Sequence, residues 1–252
     1  MIHNQEIIII KSHLEITTIG QGYPIVLFHG WGFDHTVWQV LVPELAPHYA
    51  LYLVDLPGFG HSDLLDWDDF KQQLLDQLPR QFAVSGWSLG GLYAMRLACE
   101  APERVTHLIS VASSPCCVQT GDWPGIAQQV FEDFHAKLAQ NPQQTILNFL
   151  ALQAPGKVAL PSAASNYSMD GLIKGLDILL QWDLRNHLHG YPHAGCFIFG
   201  RLDAIIPVAT LTAMRAVYPQ FSYHLIRQAG HVPFLSHREA FIALVKDFMC
   251  NN

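Results

Sequence analysis

A serine stands between two glycines in the pattern Gly86-Trp87-Ser88-Leu89-Gly90. The apolar stretch FAVS precedes this pattern and a helical pattern follows it, so the serine falls where a strand turns into a helix. Such a turn strains the serine backbone and lifts its hydroxyl clear of the sheet, and it needs small residues because strand and helix nearly collide there. The pattern predicts that Ser88 is a nucleophile. The alternative is a tight turn that carries no chemistry.

A nucleophilic serine needs a base and a carboxylate that orients the base, and both are expected on loops after later strands. Asp203 follows the strand-like run CFIFG, and His231 follows the run SYHLI. We therefore predict that His231 takes the proton of Ser88 and that Asp203 orients His231. The alternatives are a loop carboxylate that caps the helix beginning near Pro207 and one surface histidine among the 14 of the chain.

The loop HGWGFD, at residues 29–34, follows the first strand of the predicted parallel sheet. Its glycines let the backbone turn sharply. The N–H groups of Trp31 and Leu89 are the predicted donors to an oxyanion, since Leu89 begins a helix and helix N-termini stabilise negative charge. The indole of Trp31 is expected to line the acyl pocket.

These loops need a scaffold that brings the ends of several strands to one edge. Buried strand patterns alternate with helical patterns, which predicts an α/β fold with a mostly parallel sheet and helices on both faces. The first residues, EIIIIKSHLEITTIG, predict two short strands in a hairpin. Residues 116–187 break the alternation with helical spacing alone, and a connection of that length is too long for an ordinary crossover. We predict a core of residues 1–115 and 188–252 and a helical cap of residues 116–187.

Composition excludes several other classes of protein. The chain has 252 residues and a net charge of −7, which argues against general nucleic-acid binding because that requires a basic face. No stretch of 18 uncharged apolar residues is present, and the four isoleucines near the start are too short for a signal peptide, so we expect no membrane association. The five cysteines form no C-x-x-C pair, which fits a reduced, cytoplasmic protein.

No cofactor or metal ion is expected. The stretch DLPGFGHS lacks the Gly-Lys-Ser/Thr ending of a phosphate-binding loop. The stretch HLHGYPH, at residues 187–193, is interpreted as a solvated junction at the end of the cap rather than as a metal site.

Several motifs together carry a family resemblance: HGWG, DLPGFGHS, GWSLGG, PERV, VASSPC, WPGI, FLALQ, DLR and GHVPF. From about Pro24 to Phe234 the chain resembles the pimeloyl-acyl carrier protein methyl ester esterases of biotin synthesis, the BioH family, within the α/β-hydrolases. The resemblance implies an α/β-hydrolase fold and hydrolysis of the methyl ester of a pimeloyl group held by acyl carrier protein. We also expect a cytoplasmic monomer.

Carried over position by position, the resemblance implies a nucleophile at Ser88, an acid at Asp203 and a base at His231. It implies that Trp31 and Leu89 give the oxyanion donors and contact substrate. It further implies that the FLALQ segment lines the acyl channel; this segment comprises Phe149, Leu150, Ala151, Leu152 and Gln153.

One departure from the family concerns the carrier. Better-known members of the family carry arginines in the cap beside FLALQ for docking an acidic carrier, whereas this chain has Gln144 and Asn148 there. From Ser113 to Gly195 the sequence contains four basic and six acidic residues, so an acidic cap gains little electrostatic steering of an acidic carrier. Either the cap lysines cluster on one face, or carrier binding is weaker in this chain.

Other functions on the same scaffold stay open at this point. One is a general short-chain carboxylesterase or a carbon–carbon bond hydrolase, which uses the same three residues. Another is a ligand-binding protein that keeps the fold and has lost catalysis.

Overall fold

The computed structural model describes residues 12–153 and 167–251. Within these residues, seven strands form one sheet in the order β1-β3-β2-β4-β5-β6-β7. Strand β1 is antiparallel to β3, and every other pairing is parallel. The strands are β1 Ile16–Ile19, β2 Tyr23–Phe28, β3 Tyr49–Val54, β4 Phe82–Trp87, β5 Val105–Val111, β6 Ala194–Gly200 and β7 Ser222–Ile226.

Helices connect the strands. After a 3₁₀ helix at His35–Leu41, the α-helices of the described residues are α1 Val42–Leu45, α2 Trp67–Gln77, α3 Leu89–Glu100, α4 Gln128–Gln140, α5 Pro142–Gln153, α6 Met169–Gln181, α7 Arg185–Leu188, α8 Val208–Val217, α9 Pro233–Ser236 and α10 Arg238–Asn251. This order confirms the predicted α/β-hydrolase fold.

The sheet separates two hydrophobic clusters because successive side chains of a strand point to opposite faces. In β2, Val26 and Phe28 belong to one cluster, whereas Ile25 and Leu27 belong to the other. Burial on both faces explains the continuous apolar runs of the central strands. The parallel strands β2, β4, β5, β6 and β7 bring their carboxyl ends to one edge, which is where open α/β sheets place their sites.

Local signals set the helix ends. The Asp66 carboxylate accepts a hydrogen bond from the N–H of Asp69 at 2.9 Å at the start of α2. At the start of α6, the Ser168 hydroxyl accepts from the N–H of Gly171 at 2.9 Å. Such caps satisfy N–H groups that a helix leaves unpaired in its first turn.

The segment between β5 and β6 contains α4, α5, α6 and α7, and we call it the insertion. Helix α4 packs on α5 and α6, and α6 packs on α3 of the core. The Trp31 indole donates to the carbonyl of Leu172 in α6 at 2.8 Å, which ties the insertion to the loop after β2. The division into a core and a cap stays a prediction.

The predicted N-terminal hairpin is only partly within the described residues. The second of its two predicted strands corresponds to β1, whose described partner is β3. The first, at residues 6–11, lies outside the described residues. Among residues 12–153 and 167–251, no helix has the length and apolarity needed to cross a bilayer.

Candidate active site

Ser88 occupies the turn between β4 and α3, and its backbone adopts an uncommon conformation. Its φ is 55°, a region that residues other than glycine rarely enter. The N–H of Ser88 donates to the carbonyl of Val111 at 2.9 Å, and the Ser88 carbonyl accepts from the Ser113 hydroxyl at 2.7 Å. Bonds from neighbouring segments therefore hold the strained residue, as is common where strain belongs to a functional site.

Two glycines flank the serine because the backbone of three elements meets there. A Cβ atom at Gly86 would lie 2.0 Å from the carbonyl oxygen of Gly90. A Cβ atom at Gly90 would lie 2.3 Å from the carbonyl oxygen of Phe28, at the end of β2. Neither position has room for a side chain, which is the physical reason for the glycines of the Ser88 motif.

Ser88, His231 and Asp203 lie in one hydrogen-bonded line. His231 Nε2 is 2.9 Å from Ser88 Oγ, and His231 Nδ1 is 2.8 Å from Asp203 Oδ2. The His231 and Asp203 side chains are 0% and 1% exposed, so water does not compete for these bonds. When Nδ1 carries the proton and donates to the carboxylate, Nε2 has a free lone pair and accepts from the Ser88 hydroxyl. The arrangement can remove the Ser88 proton as Oγ attacks a carbonyl carbon.

The loop after β6 fixes the carboxylate of Asp203. Its Oδ1 accepts from the N–H groups of Ile205 at 2.8 Å and Ile206 at 2.9 Å. Both bonds use the same oxygen, so Oδ2 is left for His231. A carboxylate held in this way orients the imidazole without rotating away.

The loop after β7 fixes the backbone of His231. The Trp87 indole, at the end of β4, donates to the His231 carbonyl at 2.8 Å. The His231 N–H donates to the carbonyl of Gln153 at 3.2 Å. His231 is therefore held by the strand that precedes Ser88 and by the last residue of α5.

The two predicted oxyanion donors belong to neighbouring elements. Leu89 is the first residue of α3, so its N–H has no partner within the helix. Trp31 lies in the loop after β2, which is the neighbour of β4 in the sheet. The close approach of Gly90 to Phe28 places the start of α3 against the end of β2. Both N–H groups are thus carried to the edge of the sheet where Ser88 lies.

The indole of Trp31 packs beneath the insertion. Its ring meets the rings of Phe134 and Phe149 edge to face, with centroids 5.4 and 5.1 Å away. The side chain is buried. Trp31 supports these two phenylalanines, which in turn line the cavity described next.

A cavity of about 170 Å³ lies over Ser88, between the sheet edge and the insertion. Most of its walls are apolar and come from the insertion helices and the loop after β6. The lining residues are Ser88, Ser113, Cys117, Ile126, Val130, Phe131, Phe134, Phe149, Leu152, Leu176, Leu179, Ala204, Ile205 and Ile206. The arrangement suits an aliphatic chain whose reacting carbonyl reaches Ser88.

Two of the five residues of the FLALQ segment line the cavity in the structure. Phe149 and Leu152 line the cavity, as expected for residues three apart on one face of a helix. Leu150 packs against the hydrophobic clusters of the core, Ala151 is exposed, and Gln153 is buried. A helix turns the intervening residues away from the face that Phe149 and Leu152 present to the cavity. That all five residues line the acyl channel stays a prediction.

Sequence reasoning missed several wall residues. Phe134 and Leu176 stand out only as members of helical apolar patterns, and the sequence does not say which face covers Ser88. Ser113 and Cys117 follow β5, so their position just after a parallel strand is a signal that could have found them.

A second nucleophile, Cys117, faces the same cavity. Burial raises the pKa of its thiol to about 12, so the thiol stays protonated and weakly nucleophilic at neutral pH. Ser88, which has a base within hydrogen-bond distance, is the stronger candidate. In the described part of the chain, no group of three or more His, Cys, Asp or Glu residues is arranged to hold a metal ion.

Comparison with known proteins agrees with this geometry. Residues 25–244 match the alpha/beta hydrolase family. A pimeloyl-acyl carrier protein methyl ester esterase of Legionella pneumophila (strain Paris) is 48% identical over 231 residues, which cover 91% of this chain and 96% of that protein. The protein of the same name from Photobacterium profundum is 40% identical and covers 92% of this chain and 96% of that protein.

Solved structures support the fold alone, since their sequences are distant. An esterase from Exiguobacterium antarcticum superposes with a TM-score of 0.88 at 21% identity, covering 94% of this chain and 96% of that chain. An enol-lactonase from Burkholderia xenovorans LB400 gives a TM-score of 0.84 at 18% identity, and the match covers 95% of this chain and 97% of that chain. The sequence identity over nearly the whole length, by contrast, identifies the family: the chain belongs to the pimeloyl-acyl carrier protein methyl ester esterases, and it is a serine carboxylesterase of the α/β-hydrolase fold.

Proposed function

We propose that this carboxylesterase hydrolyses the methyl ester of a pimeloyl group carried on acyl carrier protein, as the names of its relatives state for them. The observation that carries the proposal is the hydrogen-bonded line of Ser88, His231 and Asp203 at the floor of an apolar cavity. It supports acyl transfer to serine, with an aliphatic acyl group held beside the nucleophile.

In the first step, Ser88 Oγ attacks the ester carbonyl carbon while His231 Nε2 takes the hydroxyl proton. The carbonyl oxygen becomes an oxyanion, which accepts hydrogen bonds from the N–H groups of Trp31 and Leu89. The carbon–oxygen bond to the methoxy group then breaks. His231 gives its proton to that oxygen, and methanol leaves an acyl-enzyme on Ser88.

In the second step, water replaces methanol. The water oxygen attacks the acyl carbon while His231 takes a proton from the water. The N–H groups of Trp31 and Leu89 again donate hydrogen bonds to the oxyanion. The bond to Ser88 Oγ breaks, His231 returns the proton to Oγ, and a free carboxylate leaves. Asp203 stabilises the positive charge that His231 carries in both steps.

The size of the cavity decides how the substrate lies. A volume of about 170 Å³ holds a short aliphatic chain but not a protein. The ester therefore sits at Ser88, the methylene chain runs along Phe149 and Leu152, and the carrier stays outside. The helices of the insertion act as the predicted cap, residues 116–187, over residues 1–115 and 188–252. The predicted cytoplasmic location and monomeric state stay predictions.

The test compares two substrates: pimeloyl-carrier-protein methyl ester and a simple p-nitrophenyl ester, each at low and moderate salt. We expect the carrier-bound ester to have the higher kcat/KM. In the Ser88→Ala variant, we expect kcat for both esters to fall by about 10⁴-fold or more, with unchanged thermal unfolding. Near-normal turnover by the Ser88→Ala variant would contradict the proposed mechanism, in which Ser88 is the nucleophile.

A general short-chain carboxylesterase is the second candidate, because the exposed charges of the insertion do not favour an acidic carrier. Among the described residues of the insertion, the exposed cations without an ion pair are Lys137 and Lys174. Fast hydrolysis of the simple ester together with poor hydrolysis of the carrier-bound ester would select this candidate.

A further inference from the structure

Two arginines lie side by side just after the ends of two neighbouring strands, at the sheet edge that carries the active site. Arg201 is the first residue after β6, and Arg227 is the first residue after β7. The last paired residues of these parallel strands are Gly200 and Ile226, and the N–H of Arg201 donates to the carbonyl of Ile226 at 3.1 Å. Neighbouring strands lie about 4.8 Å apart, so the two exposed side chains start from adjacent positions.

No carboxylate neutralises this pair in its own loops. The segments 201–207 and 227–232 contain one acidic residue, Asp203. Its side chain is 1% exposed and is hydrogen-bonded to His231. In residues 12–153 and 167–251, neither Arg201 nor Arg227 forms an ion pair, whereas Arg96, for example, pairs with a glutamate. Both positive charges are therefore available to a partner.

The cations of the insertion have a different environment. Lys137 lies one helical turn from Asp133, and Lys174 lies one turn from both Asp170 and Asp177. Neighbouring carboxylates reduce the field that these lysines present to an acidic molecule. Asp177 also lines the cleft between α4 and α6, so this outer face of the insertion carries negative charge.

The apolar cavity reaches the surface close to Arg201, and Arg227 follows the neighbouring strand at the same edge. Ala204 lines the cavity and is exposed, and it lies three residues after Arg201. Leu152, another wall residue, is 54% exposed at the end of α5. Leu202, beside Arg201, is 56% exposed. The mouth is thus an apolar rim with unneutralised positive charge on the core side.

We propose that the acidic carrier protein docks on the core side of this mouth, over segments 201–206 and 227–230, with Arg201 and Arg227 as its main electrostatic contacts. The inference rests on the proposed function, since it names the docking face for that substrate. Charge complementarity at such a rim accelerates encounter and orients the partner. The same loops carry Asp203 and His231, so a carrier docked there lies beside the loops that form the site.

The experiment uses the double variant Arg201→Gln/Arg227→Gln. We expect kcat/KM for the pimeloyl-carrier-protein methyl ester to fall about tenfold, mainly through KM, because a rim charge acts on association. The dependence of kcat/KM on salt concentration should become shallower. Hydrolysis of the p-nitrophenyl ester, which needs no carrier, measures the integrity of the active site and should change less than about twofold.

Two control variants locate the effect. Arg80→Gln removes an exposed cation just before β4, at the opposite edge of the sheet, and should leave the carrier kinetics unchanged. Lys137→Gln/Lys174→Gln removes the same number of charges from the insertion and should cost less than the arginine variant. If the lysine variant loses more, or if the arginine variant keeps its kcat/KM and salt dependence, the docking face is overturned.

Failure of the proposed function would look different. In that case the unmodified enzyme would hydrolyse the p-nitrophenyl ester and would show no preference for the carrier-bound ester, which overturns the substrate and the docking face together. Failure of the docking face alone leaves the preference for the carrier in place while the two arginines have no effect on it.

Discussion

The hydrogen bond between Asp203 Oδ2 and His231 Nδ1 decides which imidazole nitrogen faces Ser88. With a carboxylate at residue 203, Nδ1 carries the proton and Nε2 accepts from the serine hydroxyl. The other carboxylate oxygen is occupied by two backbone N–H groups, so the side chain cannot turn to offer a different partner. The geometry of one acidic side chain thus leaves Nε2 free to accept from Ser88, as the proposed mechanism requires.

At the residue scale we predict the effect of Asp203→Asn. The amide oxygen should keep the bonds from Ile205 and Ile206, which turns the NH₂ group toward His231. His231 then has to accept at Nδ1 and carries its proton on Nε2, where it cannot accept the Ser88 proton. We expect kcat to fall about 10³- to 10⁴-fold with KM changed only a few-fold. Steady-state kinetics checks this, with circular dichroism as the control for folding. Activity within tenfold of the unmodified enzyme would mean that another group orients His231.

The sequence could predict where the three polar residues lie because parallel topology brings the loops after β4, β6 and β7 to one edge. Ser88, Asp203 and His231 each follow a recognisable apolar strand, and the structure brings them within hydrogen-bond distance. Their catalytic roles stay predictions that the variants test.

At the scale of elements, the walls of the cavity could not be predicted in the same way. The periodicity of α4, α5 and α6 predicts helices, but the part of each helix that faces Ser88 depends on how the three pack on one another and on α3. Helix α5 has apolar residues on several faces, including exposed Leu147 and Leu152. Hydrophobic pattern alone therefore does not distinguish Phe149, which lines the cavity, from Leu150, which does not.

We predict that Phe149→Ala selectively impairs longer acyl chains. The Phe149 ring meets the rings of Trp31 and Phe134 and lines the cavity, so its loss removes contacts along a methylene chain but none at the carbonyl. We expect kcat/KM for hexanoyl or octanoyl p-nitrophenyl esters to fall about tenfold, and that for the acetyl ester to change less than about threefold. Leu147→Ala, at an exposed position of the same helix, is the matched control and should change neither. An equal loss for all chain lengths would remove Phe149 from the acyl channel.

At the scale of the whole molecule, a half-buried histidine paired with a buried aspartate joins the segment that follows the Trp31 loop to the loop after β3. Asp55 Oδ1 accepts from both the backbone N–H and the Nδ1 atom of His35 at 2.8 Å, and Oδ2 accepts from the N–H of His61 at 2.9 Å. Next to this pair, His29 Nε2 accepts from the N–H of Leu56 at 2.9 Å. Two neighbouring strands of the sheet are therefore linked at the edge that carries the active site.

Charge on this pair makes the stability of the fold depend on pH. The hydrogen bond to Asp55 raises the pKa of His35 above its ordinary value of 6.5. Burial alone would raise the pKa of Asp55, but the hydrogen bonds from His35 and His61 outweigh it and lower that pKa. The contribution of charged His35 to the free energy of unfolding is fully present below pH 6.5, and it is lost as pH rises through the raised pKa of His35. The contribution of ionised Asp55 to the free energy of unfolding is present above the ordinary pKa of an aspartate, and it is lost as pH falls through the lowered pKa of Asp55.

We therefore predict that His35→Gln lowers the free energy of unfolding more at pH 6 than at pH 9. At pH 6 Asp55 is ionised and His35 is charged, so the variant loses a charge-assisted hydrogen bond to a buried carboxylate, and we expect a cost of about 1–3 kcal/mol. At pH 9 the unfolded His35 is neutral and the folded His35 carries less charge than at pH 6, so less of the charge-assisted bond is lost and the cost should be smaller by about 1 kcal/mol. Urea unfolding at the two pH values measures the difference. His61→Gln, which changes an exposed side chain but keeps the backbone bond to Asp55, is the matched control and should show no such dependence. An equal loss for His35→Gln at both pH values would mean that His35 contributes as a neutral donor and not as a charge.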